Sequence, residues 1–438
     1  MDQKTRVCLL NDSFPPVIDG VANTVVNYAT IIQKELGEAI VATPKYPDVE
    51  DHYDFPVVRY PSLNTTKLVG YRAGYPFSAR SLEKLVEFRP EVIHSHCPFM
   101  SNMVARTLRE QLDVPLIFTY HTKFDIDIAH AIESKTLQSA AVRLLVNSIE
   151  SCDEVWVVSS GAGENLRSLG YQGDYVVMHN GVDFPRGPVP QADADVLRME
   201  LGLPMDVPVF LFVGRMMWYK GIRLILDALA KGEGEGADFR MVFVGDGTER
   251  QEMEQYAAER GIGERCVFAG AVRDRQKLRT YFSMADLFLF PSTYDTNGIV
   301  VREAAACGLG SILIRGSCAA EDIADGQNGI LVEEDAESLW AALRGMSRQR
   351  MAEVGEHALQ EIYISWEDSV KIAFQRYQVV MDRYRRGHTE RHFEWNDELF
   401  AWMNDICRGI AFARSVHAKN RRRIDWLFDR LEDRGGGE

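Results

Sequence analysis

Arg215 and Lys220 lie five residues apart in VGRMMWYKG. An arginine can bridge two oxygens and a lysine supplies a mobile point charge, so the pair suits a diphosphate. Two solvated surface charges are the plain alternative. Further on, FPSTYDTNGIVVREAAACG spans 290–308. An apolar strand is expected to end at Phe290, and a helix to begin near Ile299. Gly298 between them lets the backbone come close to a ligand. The free N–H groups and positive dipole end of that helix make an anion site. Asp295 sits in the loop and Glu303 one turn into the helix. Carboxylates repel phosphate, so these two suit sugar and ribose hydroxyls, which donate hydrogen bonds. An Asx turn at Asp295 and a helix-face charge at Glu303 are the structural alternatives.

Four weaker signals accompany these. Asp19-Gly20-Val21 places a second helix N-terminus after the first strand, or makes only a tight turn. His121, in Thr119-Tyr120-His121-Thr122, ends an apolar strand, where it can donate to a sugar hydroxyl or a developing charge. His94-Ser95-His96 puts two imidazoles on one strand face, as a metal site would, but no third ligand is evident and no metal is expected. Gly245-Asp246-Gly247 follows a strand and can line a nucleotide pocket, although a lone glycine motif is weak. The Asn180-Gly181-Val182-Asp183 turn reads as structural.

The elements that would position these residues alternate strand and helix. Near-continuous apolar runs, the mark of buried parallel strands, occur at 6–10, 38–43, 56–60, 91–96, 116–121, 154–159 and 175–179. Between the first two, Val21, Val25, Ala29 and Ile32 share one face of a helix over 21–36. FPRGPVPQADADVLR, 184–198, has three prolines and reads as a linker. The rhythm restarts at 209–215, 241–247, 266–272, 287–292, 311–316 and 330–334. Two βα halves predict an α/β protein of two doubly wound parallel-sheet domains facing a cleft, with ligands beyond the carboxyl ends of the strands. The domains are expected at 1–184 and 185–365. A helix at 366–384 is followed by amphipathic helices over 385–438, which dock on the body or, through 413–431, contact a membrane or partner. Segment 64–80 mixes aromatics with Lys67, Arg72 and Arg80, as a mobile cleft loop or a lipid-touching one would.

Composition narrows the function. The 438 residues carry a net charge of −15. A strongly acidic surface disfavours nucleic acid, whose phosphates need clustered Lys and Arg. No apolar run approaches the ~18–20 residues that cross a bilayer, and the first residues are too short a stretch for a signal peptide. A cytoplasmic protein is expected, with peripheral contact at the inner membrane face left open. The seven cysteines are scattered without a CxxC pair, as reduced thiols are.

In this order, PPVIDGVANTV, VIHSHCPF, TYHT, HNGVD, VGRMMWYKG, FVGDG, FPSTYDTNGIVVREAAACG and DGQNGILV resemble the family-4 retaining glycosyltransferases of GT-B fold. The likeness covers about residues 6–380. TYHT with HSHCPF resembles most the branch that synthesises glycolipids. The resemblance implies two Rossmann-like domains, with the nucleotide-sugar on the second and the 366–384 helix crossing back to the first. It implies that Arg215 and Lys220, beside Gly214, neutralise the donor diphosphate. Asp295 and Glu303 would match the two carboxylates of the E-x(7)-E motif, contacting the sugar and the ribose. The backbone of Gly298, Ile299 and Val300 would hold phosphate, and His121 would meet the transferred sugar. Gly20 would lie beside the donor phosphate and acceptor, and Asp246 in the donor pocket. Three positions depart from the pattern: Asp295 for Glu, Asn297 for Phe and Gly310 for Pro.

The expected reaction is transfer of a hexose from a nucleotide-sugar, a UDP-hexose, to a sugar or diacylglycerol-type lipid hydroxyl, without cofactor or metal. A sugar phosphorylase, a nucleotide-sugar epimerase and a non-catalytic nucleotide-sugar-binding protein are the alternatives on the same fold.

Overall fold

The computed structural model describes residues 4–387 apart from 18, 66–71, 77, 123, 125–127, 129–133 and 296–297. Two parallel sheets dominate it. The first has the strands β1 (Arg6–Leu10), β2 (Glu38–Pro44), β3 (Val57–Tyr60), β6 (Val92–Ser95), β7 (Leu116–Tyr120), β8 (Glu154–Val157) and β9 (Val176–Val177), in the order β3-β2-β1-β6-β7-β8-β9. The second has β10 (Val209–Val213), β11 (Arg240–Val244), β12 (Cys266–Gly270), β13 (Leu287–Phe290), β14 (Ser311–Ile314) and β15 (Ile330–Val332), ordered β12-β11-β10-β13-β14-β15. Every expected strand is present, most ending one to three residues earlier than the apolar run suggests. Some residues of those runs beyond the strand end, among them His96, His121 and Arg215, belong to the loops that form the site.

Both sheets have a switch point, where the strand order reverses. It falls between β1 and β6 in one and between β10 and β13 in the other. A crevice opens there because the connections leave to opposite faces of the sheet. The strands themselves are held by burial on both faces. Val7, Leu9 and Leu10 of β1, like Leu287, Phe288 and Leu289 of β13, are 0% exposed. Each such side chain contributes roughly 1.5–3 kcal/mol relative to exposure.

Three local features depart from the sequence reading. The helix after β1 is α-helical over Gly20–Ile31 and widens to a π-helical turn at Ile32–Leu36. A short antiparallel pair joins β4 (Ser62–Leu63), just before the 64–80 segment, to β5 (Ala73–Gly74), inside it. There Arg72 turns back onto Ser62 and the Tyr46 ring. The linker is shorter than 184–198, since a helix occupies Gln191–Glu200. Its Ala194, Leu197 and Arg198 are buried, and Arg198 bonds the Met284 carbonyl and Asp286. The three prolines mask a helical face that begins only after the last of them.

The final helix, Trp366–Arg385, opens on a Ser365 cap, with Glu367 and Asp368 in its first turn and Arg383 and Arg385 in its last. Both charge placements favour the helix dipole. Its Val370, Ala373, Tyr377, Val380 and Met381 pack with Val7, Leu9, Val25, Tyr28 and Trp156 of the first sheet's layer. The chain thus crosses back to the domain it began in. The crossing is marked by a bridge between Val182 and Ser365. The helices expected beyond Gly387, including 413–431, lie outside the described residues, as does Asn297. Among the described residues no helix is long and apolar enough to cross a membrane.

Candidate functional site

The loops leaving the two switch points face one another. A cavity of about 350 Å³ lies between them. Its first-domain wall is Asn11, Asp12, Ser13, Asp19 and Gly20 after β1, His96 after β6, His121 after β7, and Asn180. Ile299 reaches it from the second domain. A hollow of about 640 Å³ exists elsewhere, lined by Asp153 and Glu154 at the start of β8 and by Asp174 before β9. It sits at the amino ends of the strands, where this kind of sheet does not bind its ligand.

On the second domain, the helix Ile299–Ala306 starts from Gly298, which has φ +54° and offers no side chain as a cap. A Cβ at Gly298 would lie 2.9 Å from that of Ala319, so glycine is required both for conformation and for space. Lys220 and Asp295 meet beside it, with Nζ 2.7 and 2.9 Å from the two carboxylate oxygens. Asp295 therefore holds the cation in place. An ammonium has three N–H donors and two are directed at this carboxylate, so it can serve a phosphate as well. Arg215 is exposed and, among the described residues, forms no ion pair; its guanidinium lies 5.9 Å from the Tyr219 ring centroid. The loops after β10 and β11 touch at their backbones. Gly245, at φ +143°, would drive a Cβ to within 1.8 Å of the Gly214 carbonyl. Met216 N–H donates to the Asp246 carbonyl at 3.0 Å, and the Asp246 side chain caps Gly247 N–H. Asp246 is exposed and shapes this loop.

Glu303 is buried one turn behind the helix mouth and accepts a hydrogen bond from Arg275 at 2.6 Å. Burial pushes its carboxyl above the usual range, against the pull of Arg275. Arg275 also approaches Asp183 at 3.8 Å and lies over the Phe184 ring. The sequence did not single out Arg275. It stands at the first position of the helix after β12, a placement that on its own carries no chemical signal.

The first-domain wall is built differently. Asp19 caps the helix at Gly20, accepting from Ala22 N–H at 2.7 Å and from the Ser13 hydroxyl. The anion position at this helix end is already filled by the protein's own carboxylate, so Gly20 adjoins the cavity without offering a vacant phosphate cradle. Asp12 is buried, and accepts from Met100 and Ser101 N–H at 3.1 and 2.9 Å. It thereby caps the helix that follows β6 and joins the two sides of the switch point. His121 is buried, which pushes its imidazole down to about 3 and keeps it neutral. His96 Nδ1 lies 2.9 Å from His121 Nε2. His94 turns away to Tyr377 and Thr119, so the two histidines of HSH do not converge on a common point. Among the described residues no group of three or more His, Cys, Asp or Glu is placed to hold a metal. Asp12, His96 and Asn180 went unrecognised as cavity residues, although each lies within three residues of a strand end.

The domains are also pinned together beside the cavity. The Glu321 carboxylate accepts from Ser160 N–H at 2.7 and 2.6 Å, reaching from the second domain to a helix start on the first. Within the first domain, Asn23 donates to Asp183, in the turn that leads out of it, at 3.5 Å. The arrangement offers a helix N-terminus with the cations Lys220 and Arg215 on one wall, and on the other the neutral imidazole of His121 with Asn11, Ser13 and Asn180 beside the carboxylates of Asp12 and Asp19.

Known proteins match the same two halves. Residues 18–186 match the family model described as Glycosyltransferase Family 4, and residues 193–357 that described as Glycosyl transferases group 1. Alpha-monoglucosyldiacylglycerol synthase of Streptococcus pneumoniae is 24% identical over 307 residues, 69% of this chain and 69% of that protein. GDP-mannose-dependent alpha-mannosyltransferase of Corynebacterium glutamicum is 27% identical over 332 residues, 75% of this chain and 76% of that one. Among solved structures, sucrose-phosphate synthase from Thermosynechococcus elongatus superposes with a TM-score of 0.67 at 23% identity, covering 86% of this chain and 100% of that one. Anabaena HepE in complex with UDP gives 0.66 at 18%, with 86% and 100% covered. These structures share the two-domain GT-B fold.

Proposed function

This chain is a glycosyltransferase, a Glycosyltransferase Family 4 domain joined to a Glycosyl transferases group 1 domain, and from that premise we propose that it moves a hexose from a UDP-sugar to a diacylglycerol-type lipid hydroxyl with retention at the anomeric carbon. The observation that carries the reading is the pairing of walls across one cavity. An uncapped helix start with Lys220 and Arg215 nearby faces hydrogen-bonding groups of the first domain, among them the neutral His121. Glycolipid synthases among the relatives favour a lipid acceptor, and the UDP named in the HepE complex favours uridine as the base.

In this reading the diphosphate lies against the backbone of Gly298, Ile299 and Val300, with Arg215 and Lys220 on its oxygens. Glu303 receives the ribose hydroxyls and Asp295 the sugar. The acceptor hydroxyl attacks the anomeric carbon on the face that the diphosphate leaves. The new C–O bond forms as the bond to UDP breaks, and a departing phosphate oxygen takes the hydroxyl proton. Catalysis then rests on stabilising the charge that develops on the leaving group, by cations and N–H groups already in place. Those fixed groups let the step proceed without a divalent ion.

Two measurements test this. A thermal-shift panel of UDP, GDP and ADP should show a selective gain with UDP, worth about 2.7 kcal/mol at a hundredfold excess over Kd. UDP-glucose with diacylglycerol in mixed micelles should then give an α-linked product by NMR. A β-linked product, or a response to GDP in place of UDP, would overturn the donor or the stereochemistry.

A further inference from the structure

Three imidazoles stand in a row behind the first-domain wall. His94 is held at both nitrogens, with Nδ1 2.6 Å from the Tyr377 hydroxyl and Nε2 2.6 Å from Thr119 Oγ1. His96 packs against it, ring centroids 4.0 Å apart. His96 in turn stacks on His121 at 5.2 Å, and its Nδ1 reaches His121 Nε2 at 2.9 Å. His96 is 1% exposed, and its Nε2 is buried with no hydrogen-bond partner among the described residues.

Burial keeps all three rings neutral. A neutral imidazole carries one N–H. The contact between His96 and His121 therefore holds one proton, and it belongs to one ring or the other. Were it on His121 Nε2, the proton of His96 would sit on its own Nε2 as a buried N–H with nothing to receive it. With the proton on His96 Nδ1, the orphan at Nε2 is only a lone pair. Orphaned buried N–H groups are the rarer and costlier case. We infer that His96 is a positioning residue that donates from Nδ1 to His121 Nε2, and so fixes His121 as the Nδ1–H tautomer, a hydrogen-bond donor and not a base.

This assignment rests on reading the cavity as the transfer site, and it sharpens that reading. With its Nε2 lone pair committed to His96, His121 has no free nitrogen to take the acceptor proton. The proton must leave by another group, and the departing phosphate oxygen is the one that the proposed step provides.

The test is a long-range proton–nitrogen correlation spectrum of the full chain with 15N-labelled histidine, at neutral pH. The His121 signals are identified by their loss in His121→Gln. The expected spectrum shows His121 protonated at Nδ1 and bare at Nε2. His96→Asn keeps an N–H near the position of Nδ1 and should preserve that tautomer and most of the UDP-glucose turnover. His96→Leu removes the donor, should mix the two tautomers, and should lower kcat by about 10–100-fold with the donor KM unchanged. A protonated Nε2 on wild-type His121 overturns the inference, as does an unchanged tautomer in His96→Leu. The wild-type and His96→Asn spectra decide the matter even if His96→Leu does not fold. They need no substrate, so they stand apart from failure of the proposed donor.

Discussion

Two helices point their N-termini into the same cleft, one from each domain, and each begins at a glycine after a strand. The first, at Gly20, is capped by Asp19, whose carboxylate already occupies the positive end of the helix. The second, at Gly298, has no side-chain cap and lies near the Lys220–Asp295 pair and Arg215. The same turn thus produces opposite electrostatics. A helix end is a ready anion site only while its N–H groups are free. In the proposed reading, this difference would put the phosphate on the second domain and uncharged hydroxyls on the first.

The contrast can be broken in several ways. Arg215→Ala removes a cation from the phosphate side alone, and kcat should fall by about 10²–10³, the range for losing one preorganised charge-stabilising donor. Turnover close to wild type would place the diphosphate elsewhere. Gly298→Ala forces a side chain into a left-handed backbone against Ala319. It should cost about 1–3 kcal/mol in urea denaturation and weaken UDP binding with it. A variant of full stability and affinity would refute the uncapped-end account. Asp19→Ala should destabilise the chain by about 1 kcal/mol, the usual value of a lost cap. It should also create affinity for inorganic phosphate at the first domain, measurable by calorimetry. If no such affinity appears, capping is not what separates the two ends.

The smallest effect concerns Glu303. Its carboxyl is held above the usual range by burial, so the folded chain keeps this proton more tightly than the unfolded one. The stability it contributes is present below the ordinary glutamate range and is lost as pH rises through the folded value. Stability of the wild type minus that of Glu303→Gln should therefore decline as pH rises above the ordinary glutamate range, about 4. A rise there would mean that the Arg275 pairing outweighs burial.

How much of this was legible in the sequence differs between the two ends. The strands were readable because burial on both faces leaves runs such as VFLFV and LFLF, and the fold class followed from their alternation with helices. The uncapped end was readable too, since Gly298 and the start of the helix are adjacent in the chain. What stayed hidden were pairings across loops. Lys220 and Asp295 are 75 residues apart, Arg275 and Glu303 are 28, and His96 and His121 are 25. No local pattern relates such partners, because tertiary packing brings them together. Asp19 is an instructive case. Its residue type suits a helix cap, yet the sequence reading weighed only a helix N-terminus or a tight turn there, and the resemblance set Gly20 beside the donor phosphate and acceptor. The linker failed for a related reason, as prolines at 185, 188 and 190 obscured the helical face of Ala194, Leu197 and Arg198.

The returning helix also bears on the order in which the chain can assemble. The layer that covers Val7, Leu9 and Trp156 includes Trp366, Val370, Tyr377 and Val380. The second domain, by contrast, draws its sheet from the uninterrupted stretch between Val209 and Val332. During synthesis the second domain has all its strands before the first domain has its last helix. The half of the protein that leaves the ribosome first is therefore the half that is finished last, and until then its apolar face and the Nδ1 atom of His94 wait for partners that have not yet been made.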